Sequence, residues 1–134
     1  MSYRSAIVAV AVLALHAATA AAGGDIDGTW SASIQTQGGT EKYLYEFLVE
    51  GTQLSGHARC RYGESPLISG RVENGLIMFV EYLRIDDADF TVSYVGRLVS
   101  ADQIQFSRLI QDVAIESFTA TRVHPQSPRA PSGP

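Results

Sequence analysis

Arg108 and Arg122 are the side chains through which this chain could grip a charged group. In "QIQFSRL", alternation puts Arg108 on one face with Ile104 and Phe106; in "FTATR" it puts Arg122 with Phe118 and Ala120. A guanidinium turned into an apolar interior has to be paired or stacked. One reading makes such an arginine the anchor for a ligand's carboxylate. The other places it near a barrel end, stacked on Trp30 or paired with a carboxylate such as Asp25 or Asp27. Arg122 ends its segment and suits the second reading; Arg108 suits either. The same inward side collects Tyr43, Tyr45, Phe47, Phe79, Phe90, Tyr94, Phe106 and Phe118. Tyrosine hydroxyls among apolar rings could orient a small ligand, and buried hydroxyls need partners. The expected ligand-binding set is therefore Tyr45, Phe47, Phe79, Tyr94 and Phe106, with Arg108 holding an acidic group. The same rings could equally form a filled core.

Other chemistry finds little support. Asp86, Asp87 and Asp89 in "RIDDAD" lack the glycine and distal glutamate of a calcium loop and read as a solvated turn. No histidine has a metal-ligand spacing, so no metal is expected. "GESP" holds Ser65 without a nucleophile elbow. Glu46 and Glu81 are candidate acids with nothing to bring them to one cleft. Neither catalytic residues nor a cofactor are assigned. A cofactor-free isomerase or cyclase would need an inward acid and base, where alternation supplies tyrosines and arginines. Cys60 is the only cysteine, which excludes an intrachain disulfide. It alternates with Leu54 and Ala58 and reads as buried filler.

The elements that must carry these side chains are strands. Period-two alternation recurs over 29–34, 43–50, 54–61, 67–73, 76–83, 90–99, 103–109 and 116–122, and no segment of helical period follows residue 24. Turn residues separate these runs, and Asn74-Gly75 is the sharpest signal, suited to a type I′ hairpin. Eight short strands with short connections predict an all-β, antiparallel up-and-down meander. Closure into an eight-stranded barrel removes its edges. A barrel of this size either fills with side chains or holds one small ligand. Gly56, Gly70 and Gly96 fall on the inward face, where glycine relieves a bend or admits a bulky neighbour. The fifth run is apolar on its outer face too: Leu76, Met78, Val80 and Tyr82 form a candidate interface, with Leu67 and Val99 also outward.

The two ends read differently. Residues 1–22 carry Arg4, then the apolar run from Ala6 to Leu15, then small residues around Ala20 and Ala22. That order predicts a secretory signal peptide, with an apolar run too short to span a membrane. The mature protein is expected to be secreted or periplasmic. Residues 124–134, "HPQSPRAPSGP", predict a disordered tail and leave residues 25–123 as the barrel domain. The formal charge of −4 argues against nucleic acid, which needs a basic surface.

Two motifs carry a family resemblance. "DGTW" opens the first strand with Gly28-x-Trp30, and "FTATR" ends the last with Arg122. This pattern resembles the calycin superfamily, the lipocalin- and avidin-type barrels. It implies that Arg122 packs over Trp30 and closes the barrel floor beside Gly28. "VEGTQLSG" and "YVGRLVSADQIQFSR" are similar to segments of small secreted bacterial barrel domains, largely without assigned function. The chain is shorter than a lipocalin and has one tryptophan where avidin-type biotin sites use several, so biotin binding is not implied. The leading expectation is a non-catalytic binding protein that holds a small apolar or amphipathic ligand. The alternative is a filled barrel acting through its outer surface, as a homo-oligomer, a protein-binding module or a protease inhibitor. Secreted inhibitors of this form usually carry a disulfide that Cys60 alone cannot make.

Overall fold

A computed structural model describes residues 23–125. The expected signal peptide, and the tail beyond residue 125, lie outside the described residues. A 3₁₀ turn, Gly23–Ile26, leads into nine strands: β1 (Gly28–Thr36), β2 (Gly39–Glu50), β3 (Gln53–Cys60), β4 (Gly63–Pro66), β5 (Ile68–Glu73), β6 (Leu76–Ile85), β7 (Ala88–Ser100), β8 (Gln103–Ile110) and β9 (Ala114–Arg122). Each pairs antiparallel with its neighbours, and β9 returns to β1 through Trp30↔Arg122, Ser31↔Thr121 and Ala32↔Ala120. β4 and β5 are two halves of one stave. β4 pairs with the upper part of β3 and β5 with the lower part. The architecture is thus a closed, eight-stranded, up-and-down antiparallel barrel.

Alternation explains the core. Trp30, Ala32 and Ile34 of β1 are buried, as are Tyr43, Tyr45 and Phe47 of β2 and Ile104, Phe106 and Arg108 of β8. The rings stack as one network: Phe79 on Tyr94 with centroids 4.3 Å apart, Tyr43 on Tyr45 at 5.3 Å, and Phe106 on Phe118 at 5.4 Å. Two inward glycines make this packing fit. A Cβ on Gly96 would collide with the Phe106 ring. At Gly56, φ is +140°, and a Cβ would strike the Glu46 carbonyl across the β2–β3 ladder. A residue with a side chain is excluded there by both conformation and space.

The split stave corrects the expected phase. Leu67, expected outward, is buried at the break between β4 and β5, and its N–H donates to the Gly56 carbonyl at 2.9 Å. Ser69 takes φ = 54°, and the β5–β6 register shifts between Ile68 and Arg71. The irregularity turns Leu67 inward and leaves Ile68 half-buried, and the ordinary phase resumes at Gly70 and Val72. The strands are also longer than expected. "QTQGGTEK" is mostly ladder, with β1 and β2 paired out to Thr36↔Gly39.

Candidate functional site: the barrel mouth

The two ends of the barrel are built differently. At the end carrying Trp30, the Arg122 guanidinium lies over the indole, 4.5 Å from the ring centroid. Trp30 Nε1 donates to the Ile26 carbonyl at 2.9 Å. Arg122 donates to the backbone carbonyls of Asp25, Asp27 and Ala101, and its Nε is 3.3 Å from Asp102 Oδ1. The side chains of Asp25 and Asp27 are not its partners; their carbonyls are. Gly28 sits beside this floor at φ = +127°. The floor is plugged by polar contacts that tie the 3₁₀ turn before β1, the β7–β8 turn and the last strand together.

Above the floor the interior is solid. Tyr45, Phe47, Phe79, Tyr94 and Phe106, expected to surround a ligand, are buried against one another. Eight inward-facing rings, Trp30 at the floor included, lie with neighbouring centroids 4.3–6.5 Å apart and fill a bore of eight strands.

The opposite end stays open. A cavity of about 240 Å³ lies there. Leu83, Ile85, Phe90, Val92 and Ile110 form its apolar wall; Tyr43, Arg108 and Glu116 form its base; Thr36, Gly38, Glu41, Arg61 and Tyr62 rim it. Strand alternation supplies the wall and base. The rim comes from the β1–β2 ribbon and the β3–β4 turn.

Beneath the mouth runs a chain of polar contacts. Arg108 Nε donates to Glu116 Oε1 at 2.7 Å, and its Nη1 donates to the Tyr94 hydroxyl at 3.0 Å. Tyr45 OH donates to the same oxygen at 3.1 Å, and Tyr94 OH donates onward to Glu81 Oε1 at 2.8 Å. Ser65 Oγ donates to Glu81 Oε2 at 3.2 Å. The Tyr94 hydroxyl thus donates once and accepts twice, its full capacity. Arg108 also lies over the Tyr43 ring at 5.1 Å. The anion that Arg108 was expected to take from a ligand is supplied within the chain by Glu116.

Burial sets the protonation states. It pushes the Glu81 carboxyl up, against the opposing pull of the Tyr94 hydrogen bond and Arg108. It pushes the Tyr43, Tyr45 and Tyr94 hydroxyls up, which keeps them protonated. Burial works against charge on Arg108, but the surrounding oxygens outweigh it and hold the guanidinium protonated. Sequence reading names Glu81 as a candidate acid but does not place it on the inward face, although period-two counting from Ile77 and Phe79 reaches it. It is 1 % exposed.

The other singled-out residues lie outside this cluster. Glu46 and His57 are exposed on the outer wall, and Asp86, Asp87 and Asp89 are exposed in or beside the β6–β7 turn. Cys60 is half-buried at the end of β3. Leu76, Met78 and Val80 are half-buried on the outer face of β6, and Tyr82 is 58 % exposed. No group of three or more metal-ligating side chains occurs among the described residues, and none of their helices is long and apolar enough to cross a membrane.

Fold and site together define a class: a small closed antiparallel barrel, plugged at one end, packed with aromatic rings through its middle and hollow at its mouth. Comparison with protein-family models, curated proteins and solved structures finds no match to this chain.

Proposed function

We propose that this chain is an exported, non-catalytic binding protein that holds one small amphipathic molecule in the mouth of its barrel. The observation that carries this reading is the mouth itself: an apolar wall over a base of preorganised hydrogen-bonding groups. The rigid aromatic plug beneath it holds Tyr43 and Arg108 in place without a ligand. Trp30 and Arg122 at the floor favour a calycin-like relationship, and the N-terminal segment favours export.

Native and denaturing mass measurements on protein from its host's exported fraction test the reading. A small molecule lost on denaturation, and absent from an Ile110→Trp variant whose mouth is filled, is the expected result. A bare chain in both proteins, with no small molecule taken up on titration, would remove it.

A second reading has its own observation. Val95 lies beside Met78 in the β6–β7 register and is 46 % exposed. With Leu76, Val80 and Tyr82 it makes an apolar outer patch suited to a second copy or a protein partner.

A further inference from the structure

The mouth is balanced in charge, and that constrains what it can hold. Its four ionic side chains form two internal pairs: Arg108 with Glu116, and Arg61 Nε with Glu41 Oε1 at 3.4 Å. Three of the four are largely enclosed, with 4 % of the Arg108 side chain, 14 % of Glu116 and 11 % of Glu41 exposed. The remaining carboxylate nearby, Glu81, lies beneath the base and is engaged by Tyr94 and Ser65. A ligand carboxylate entering here would have to displace Glu116 from Arg108. A ligand ammonium donating to Glu116 or Glu41 would set a second cation beside a carboxylate whose charge an arginine already balances. The first leaves the enclosed Glu116 carboxylate without its partner, and the second leaves an uncompensated cation in the mouth beside Arg108 or Arg61; both are unfavourable.

A neutral ligand avoids both. A carboxylate oxygen that accepts one guanidinium bond retains lone pairs for another donor. Glu116 and Glu41 can therefore each accept an O–H or N–H from a neutral guest. The Tyr43 hydroxyl at the base can donate or accept. The volume sets the size. At about 30 Å³ per water, 240 Å³ equals roughly eight waters, enough for one ring with a short substituent. Phe90, Val92, Leu83 and Ile110 offer that ring an apolar wall.

We infer that the mouth selects an uncharged single-ring molecule bearing a hydroxyl or N–H donor, of the phenol class, over anions and cations of the same size. The inference rests on the mouth being the binding site, and it names the ligand's chemistry.

The test is a titration of the full mature chain with 4-methylphenol, benzoate and benzylammonium, followed by calorimetry and by amide chemical shifts. The expected result is saturable binding of 4-methylphenol with shifts at Val92 and Ile110. The two ions should bind about tenfold more weakly or worse. Glu116→Gln removes the resident anion and leaves Arg108 without its carboxylate, so benzoate should gain relative to 4-methylphenol. The wild-type ranking stands as a test even where that variant fails to fold. Benzoate or benzylammonium binding the wild type as tightly as 4-methylphenol would overturn the inference and leave the binding reading intact. Binding of none of the three would overturn the inference, and the native mass measurement would then decide the binding reading separately.

Discussion

Glu81 is the residue with the most to lose from its position. Burial of a carboxyl 1 % exposed favours its neutral form, and it outweighs the Tyr94 and Ser65 hydrogen bonds and the Arg108 charge, which favour the anion. Its folded pKa lies above its unfolded value, so the native state binds the proton more tightly. Its contribution to stability is full at pH values below the ordinary carboxyl range and is lost as pH rises through the raised folded value. Glu81→Gln keeps a similar shape and cannot ionise. The gap in urea midpoint between wild type and this variant should therefore move in the variant's favour from pH 4 toward pH 8. A gap that stays constant over that range would show that Glu81 does not titrate there. Tyr94→Phe probes the same chain of contacts from its centre. It strips a donor from Glu81 and an acceptor from both Arg108 and Tyr45, and should cost about 1–3 kcal/mol by urea titration.

Among the elements, β7 and the β1–β2 ribbon make opposite predictions. β7 is paired along nearly its full length to β6 and β8, and Gly96 admits the Phe106 ring from β8. Gly96→Ala forces that ring out of its stack and should cost about 1–3 kcal/mol, the usual range for overpacking a tight core. An alanine variant of wild-type stability would mean that the ring has room to move. The ribbon has few ladder partners beyond its own two strands, although Ile34 and Tyr43 anchor it in the core. β1 pairs with β9 only from Trp30 to Ala32, and β2 pairs with β3 only from Leu44 onward. Residues 33–36 and 39–43 are joined chiefly to one another. Their amides should exchange with solvent faster than those of 30–32 and 44–48, measured by native-state hydrogen exchange. Since Thr36, Gly38 and Glu41 rim the cavity, local opening of this ribbon is the natural way in for a ligand.

At the scale of the whole molecule, the barrel has two apolar features with different consequences. The inner one is consumed by packing, apart from the mouth. The outer one, on β6 and β7, stays partly open to solvent. Met78→Glu places a charge at the centre of that patch without touching the core. If copies associate there, sedimentation should show a multimer in wild type and a monomer in the variant, with 4-methylphenol binding unchanged. Equal masses for the two proteins would exclude self-association through β6.

Much of this architecture was legible from residue order, because a strand in a closed barrel has one dry face and one wet one. That two-fold rule places Trp30, Tyr45, Phe79, Tyr94, Phe106 and Arg108 inside and makes a meander the simplest chain path. It fails where the backbone departs from the period. At Leu67 the bulge before Arg71 reverses the phase, and no residue type nearby announces it. The rule reaches Glu81 by counting, but only tertiary packing supplies the Tyr94 and Ser65 donors that meet its buried carboxyl.

What sequence alone determined was therefore the sidedness of the strands, apart from the break at Leu67, their order and the inward placement of a guanidinium. Only the tertiary structure decided which of those inward groups meet. Whether eight aromatic and aliphatic strands enclose a space or fill it depends on ring orientation across the bore, over sequence separations such as the 49 residues between Tyr45 and Tyr94. Whether Arg108 waits for an anion or already holds one depends on Glu116 lying opposite it in the β8–β9 register. Both are distances through space, and alternation along a strand carries no information about them.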